Sequence, residues 1–249
     1  MDSGRMLRNT QIIILGVCIA VATIVSSIIL SKGFLKITKF VREQITVTGS
    51  AQKEIKSDYI VWKSTFSTRQ ADLKTGYKKL NEDLEKVKKY LIGKGVDEKE
   101  IIVSQISTSK VYKKNEKGND TNEIQWYVFS QTVEVRSKDV EKIDEISRES
   151  TELIEENIEL ESQAPEYFYT KLDELKIEML AKATENAKLR AENMVKATGN
   201  KIGSIRSARM GVFQITPITS TDVSDWGVND TSSLEKKVMA VVSASFAIE

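Results

Sequence analysis

No residue in this chain can do imidazole chemistry, and only one can do thiol chemistry. The sequence holds no histidine, and its single cysteine, Cys18, lies inside a hydrophobic run. Histidine triads, imidazole general bases and His or Cys metal sites are excluded by inventory, and no intrachain disulfide can form. Carboxylate, Lys, Tyr and Ser chemistry remains, and three stretches invite it. Gly93-Lys94-Gly95 carries the residue types of a phosphate cradle. It is too short for a P-loop, though, and follows a helical pattern instead of joining a strand to a helix. It reads as a helix C-terminal breaker. The acidic run Glu152, Glu155, Glu156, Glu159 and Glu161 has ligands for divalent cations. Its last two members alternate with Ile158 and Leu160, as the wet side of a half-buried strand would, and a solvated helix end accounts for the others. The third stretch, Asp222 to Asp230, offers hard oxygen ligands around Trp226, a large apolar group among polar neighbours. It lacks EF-hand spacing. Three readings of it stay open: partner contact through Trp226, Asp222 and Asp225, metal binding, or a plain ordered loop. No catalytic, cofactor-binding or metal residue is assigned, and no cofactor is expected.

The elements that would position these groups begin with Ile12–Leu30, nineteen residues without charge or proline. At about 1.5 Å per residue they span roughly 28 Å, near the ~30 Å of a hydrocarbon core. A cleavable signal peptide is the rival reading. Its apolar core is normally about 7–15 residues and ends at a small-x-small site, whereas this run closes on Ile28-Ile29-Leu30. The expected organisation is a tail at 1–11, a transmembrane helix at 12–31, a basic connection at 32–42 and an α+β domain at 43–249. Within the helix, Gly16 and Ala20 form a small-xxx-small pair suited to helix pairing. Lys32, Lys36 and Lys39 are placed to reach lipid headgroups.

Charge is distributed to match. Six of the 37 bases and one of the 36 acids fall in residues 1–42, leaving 31 and 35 for the rest, a net of −4. A soluble part of that sign lacks the footprint of nucleic-acid binding. Two arginines precede the helix and four bases follow it, so by the positive-inside rule the domain would stay in the cytoplasm.

Period changes divide the remainder. A short strand at 45–49 and a strand at 60–68 precede a helical stripe of Leu73, Tyr77, Leu80, Leu84, Val87 and Leu91. Strands at 101–111 and 125–135 flank a hairpin loop at 115–120. A helix through Val140, Ile143 and Ile146 follows, capped by Ser137 or Asp139, and then a strand through Ile158 and Leu160. Residues 58–169 therefore read β-α-β-β-α-β, the ferredoxin-like order. In the segment 170–249 a long helix at 171–198 carries Ala183, Ala187 and Ala191 at a spacing of four, for close approach to the domain's own sheet or to a neighbouring chain. A strand at 202–215 interrupted at Gly211, a polar loop at 217–233 and a strand at 238–248 complete the chain.

Several of these features together resemble the SIMPL domain family. They are Gly49-Ser50-Ala51 with Asp58 shortly after, the alanine-bearing helix closed by Thr198-Gly199-Asn200, Lys201-Ile202-Gly203-Ser204-Ile205 and the terminal strand. Gly211-Val212-Phe213-Gln214-Ile215-Thr216-Pro217 with Ser224-Asp225-Trp226-Gly227 is similar to one bacterial branch of it. The resemblance covers residues 43–249. It implies an α+β SIMPL-type domain, a βαββαβ unit plus a long helix and C-terminal strands. It also implies placement outside the cytoplasmic membrane, a link to envelope or oxidative stress, and homo-oligomers; it supplies no catalytic set. Two function classes follow. One is a membrane-anchored, non-enzymatic interaction or assembly module. The other is a ligand- or metal-binding sensor, or an enzyme restricted to carboxylate, Lys, Tyr or Ser chemistry.

Overall fold

The computed structural model describes the backbone of residues 3–249 and the side chains of residues 14–35 and 43–249. One helix, α1 (Ser3–Arg42), runs through the hydrophobic segment and the basic connection without a break. Its span Ile14–Leu35 is long and apolar enough to cross a membrane, and every residue of it is exposed. A helix that is apolar on all faces has no polar side to give to water, and lipid is the solvent that suits it.

Beyond α1 the chain is α+β. Its elements are β1 (Gln44–Lys56), β2 (Tyr59–Gln70), α2 (Leu73–Gly93), β3 (Ile101–Val103), β4 (Ser107–Lys114), β5 (Asp120–Ser137), α3 (Val140–Glu149), α4 (Glu152–Glu155), β6 (Glu159–Ser162), β7 (Glu166–Phe168), α5 (Leu172–Lys196), β8 (Ile202–Met210), β9 (Gln214–Pro217), β10 (Val228–Asn229) and β11 (Glu235–Ile248). They divide between two units. One comprises Met1–Ala51, Leu180–Gly211 and Val241–Glu249, the other Gln52–Met179 and Val212–Ala240.

In the first unit, β8 pairs antiparallel with the end of β11, from Met210 opposite Val242 to Ile202 opposite Ile248. The second half of α5 buries Ala183, Ala187 and Ala191 completely. The partner these alanines serve is the domain's own strand β1. A Cβ built on Gly49 would lie 2.3 Å from the Ala183 carbonyl oxygen and 2.3 Å from the Ala187 nitrogen. The Ser50 N–H donates to Asn186 Oδ1 at 3.2 Å and Arg190 Nη1 donates to the Thr48 carbonyl at 2.9 Å, locking helix to strand on both sides of the glycine.

In the second unit, an antiparallel sheet runs β3-β5-β2-β6, with β4 also on β5 and β7 also on β2. This is the β-α-β-β-α-β order read from the periodicity. Ile60, Trp62 and Phe66 of β2 and Phe129, Val133 and Val135 of β5 share one face with Leu80, Val87 and Leu91 of α2 and Ile143 and Ile146 of α3. Asp72 caps α2 by accepting the Thr75 N–H at 2.9 Å. At the other end Gly95 has φ +88°. The Val96 N–H reaches Leu91 O at 3.0 Å and the Gly95 N–H reaches Ile92 O at 2.9 Å. That pair of bonds is a Schellman cap, with Val96 and Leu91 buried beneath it, so Gly93-Lys94-Gly95 is a helix terminus.

The strand expected over 101–111 divides into β3 and β4. Ser104 interrupts it, donating its N–H to Thr132 O and taking the Thr132 N–H on its own hydroxyl, both at 2.9 Å. A side chain thus occupies a slot of the ladder that a backbone carbonyl would fill. Similarly, the strand expected at 45–49 extends to Lys56, because backbone pairing does not require the apolar alternation that ends at Gly49.

Candidate functional site

The polar loop between β9 and β11 displays its tryptophan almost entirely to solvent: Trp226 is 94% exposed, and Val223 nearby 69%. The loop is held from below. Buried Gln214, on β9, donates through Nε2 to Ser224 O at 2.7 Å and accepts the Ser224 N–H at 3.3 Å. Ser224 Oγ accepts the Trp226 N–H at 3.2 Å. Gly227 turns the chain at φ +85°, where a Cβ would come within 2.8 Å of Phe213 O. Lys237 donates to Ser220 O at 2.9 Å and to Ile218 O at 3.3 Å. An amide clamp and a lysine staple therefore fix a loop whose side chains point outward.

Beneath its far end lies a buried ammonium. Lys236 is 3% exposed and donates to Tyr167 O at 2.6 Å and Asp230 O at 2.5 Å. Burial pushes its pKa down, against the pull of the Asp230 charge. Burial would also raise Asp230, but the hydroxyl and N–H of Ser232 and the Lys236 charge outweigh that and hold its carboxyl low. The Tyr167 hydroxyl donates to Asp144 at 2.6 Å. Burial and that carboxylate raise the phenol to about 12. The unfolded phenol titrates near 10, so the folded protein holds this proton more tightly than the unfolded chain does. Stability from this contact is full below pH 10 and is lost as pH rises towards 12. Tyr167→Phe is expected to cost about 1 kcal/mol at neutral pH. In denaturant titrations its deficit from wild type should shrink between pH 10 and 12.

Among the described residues no group of His, Cys, Asp or Glu is arranged to hold a metal ion. Asp222 accepts from the Ser220 hydroxyl at 2.9 Å, and Asp222 and Asp225 stand exposed at the tip beside Trp226. The acidic run is dispersed: Glu152 pairs with Lys94 at 3.1 Å and Glu159 accepts from Ser67 Oγ at 3.2 Å. A shallow hollow of about 420 Å³ on the uncovered sheet face is lined by Lys63, Glu134, Arg136 and Glu166 with Tyr59 and Phe168. Glu134 there is paired with both Lys63 and Arg136.

On α1, Gly16 and Ala20 lie on bare helix surface, with nothing within 4 Å of a Cβ built on Gly16. Lys32 is exposed, while the side chains of Lys36 and Lys39 lie outside the described residues. One further feature has no clear signature in the local sequence. The hairpin of β4 and the first part of β5 is exposed on both faces, with Val111, Tyr112, Ile124 and Trp126 between 36% and 42% exposed. The available signal was Ser107–Lys114, a strand with no run of alternating apolar residues.

No curated protein matches this chain. Residues 45–246 match the family model SIMPL, described as a protein of unknown function (DUF541). The match runs from β1 into β11, and the chain belongs to the SIMPL family.

Proposed function

We propose that this SIMPL-family chain is a membrane-anchored, non-enzymatic interaction and assembly module. Residues 12–42 hold it to lipid, the soluble part faces outward from the cytoplasmic membrane, and copies of the chain associate there in a role tied to envelope or oxidative stress. The observation that carries the reading is Trp226, 94% exposed on a loop clamped by Gln214 and Lys237. A rigid backbone and a bare aromatic ring make a contact that costs little ordering entropy on binding. The lack of histidine and of thiol outside α1, and the pairing of Glu134 with its neighbours, support a role without turnover. The net −4 of residues 43–249 supports partners other than nucleic acid. The outward placement and the stress role rest on the family resemblance.

The test is the native mass of the full chain in detergent or lipid nanodiscs. Discrete multiples of the chain mass are expected, and a clean monomer at tens of micromolar would sink the reading. Protease added to intact cells should remove the soluble part; complete protection would place it in the cytoplasm. Trp226→Ala is expected to leave the melting transition within about 0.5 kcal/mol of wild type, since the ring packs on almost nothing. It should weaken capture of the partner. A large loss of stability would show that the ring is structural.

A further inference from the structure

The geometry points to a specific interface between copies of this chain: the β4 edge of one copy pairs with the β6 edge of the next, head to tail. This rests on the assembly reading above and names the surfaces that would perform it. β4 and β6 are opposite edges of one sheet: among the described residues β4 pairs with β5 alone and β6 with β2 alone. Each step across that sheet is antiparallel, so β4 and β6 run in opposite directions. A second copy in the same orientation therefore presents β6 to β4 with the polarity that an antiparallel ladder requires.

Charge selects the partner. β4 carries Lys110 and Lys114, with Lys113 already paired to Glu123 of the same hairpin at 2.9 Å, and no acid, while β6 carries Glu159 and Glu161 and no base. Each edge repels its own kind, which disfavours the symmetric β4–β4 and β6–β6 dimers that an open edge otherwise invites. Opposite edges attract, and the only pairing left is heterologous. The ribbon also needs cover. All eight residues of β4 are exposed, and a two-stranded ribbon bare on both faces is marginal in water. Ser107 lies level with Glu159 across the sheet, through Ser130 and Ser67. Bringing the lysines opposite the glutamates therefore displaces the second copy towards the hairpin tip, and successive copies are staggered.

Charge reversal in the full chain, read by native mass in nanodiscs, tests this. Lys110→Glu with Lys114→Glu, and separately Glu159→Lys with Glu161→Lys, should each weaken self-association at least tenfold. All four substitutions in one chain, or an equimolar mixture of the two variants, should restore the wild-type mass. These positions are exposed, and unchanged near-ultraviolet circular dichroism verifies folding. An assembled wild type whose mass survives either reversal, or whose combined variant folds but stays dissociated, overturns the edge pairing and leaves the assembly reading standing. A monomeric wild type removes both. As a second measurement, in a Cys18→Ser background a short bismaleimide should join chains only when Ser109→Cys and Glu161→Cys are both present. Dimers from Ser109→Cys alone would overturn the proposal in favour of a symmetric β4 contact.

Discussion

Gly49→Ala is expected to destabilise the protein by at least about 3 kcal/mol, at or beyond the top of the usual range for overpacking. A single methyl does this because the atoms it meets belong to a helix backbone. The new Cβ would sit 2.3 Å from Ala183 O, 2.3 Å from Ala187 N and 2.7 Å from Ala187 Cα. None of these can rotate away. The helix could only lift from β1, stretching the Ser50–Asn186 and Arg190–Thr48 hydrogen bonds and opening space around Ala183, Ala187 and Ala191. For a domain of this size, 3 kcal/mol corresponds to a fall of roughly 10 °C in Tm. Truncating the neighbour should not help: Ala187→Gly removes only a Cβ that the clash does not involve. A thermal scan of Gly49→Ala within about 2 °C of wild type would show that β1 and α5 do not meet at this spacing.

Gly76→Ala is the second large effect, and its cause differs in a way that can be measured. On an open helix surface the change would stabilise by about 1 kcal/mol through propensity. Here the added Cβ would meet the Phe129 ring at 1.9 Å to Cε2, 2.3 Å to Cζ and 2.6 Å to Cδ2. Phe129 is fully buried and packs edge-on against Tyr77 with centroids 5.2 Å apart, so displacing the ring would disturb that packing. The expected net loss is about 2–3 kcal/mol. Because the obstacle is a side chain, it can be shortened. Gly76→Ala with Phe129→Leu should be less destabilised than the sum of the single changes by about 1 kcal/mol or more, read from denaturant midpoints in a double-mutant cycle. Strict additivity would mean that α2 does not seat Gly76 on that ring. The contrast with Gly49, where no neighbouring truncation gives relief, separates a backbone contact from a side-chain contact.

Both glycines mark the boundary of what could be read in the residues. The stripe Leu80, Val87 and Leu91 on α2 and the alternation of Ile60, Trp62 and Phe66 on β2 reveal helix and strand through their own periods, and those residues are buried together as the stripe requires. The Gly95 terminus was legible for the same reason, since a positive φ and a helix stop are local demands. The alanines at a spacing of four announced a close approach without naming its partner. Only the tertiary structure shows that the partner is Gly49 of the same chain, well over a hundred residues away. Ser104 could not have been foreseen as a break, because its effect depends on the strand opposite it.

The candidate site divides along the same line. Trp226 was visible as an apolar residue in a polar loop, and α1 as an apolar run of membrane length. Composition and local period carry both, because each concerns a residue and its immediate chain neighbours. That Trp226 is bare yet rigidly carried is a property of the clamp from Gln214 and the staple from Lys237, which converge from two different strands. The dispersal of the glutamates and the opposed charges of β4 and β6 are likewise set by strand order. Where a charge lies in a sheet follows from which strands pair, and pairing is decided by long-range packing that no local window of sequence contains.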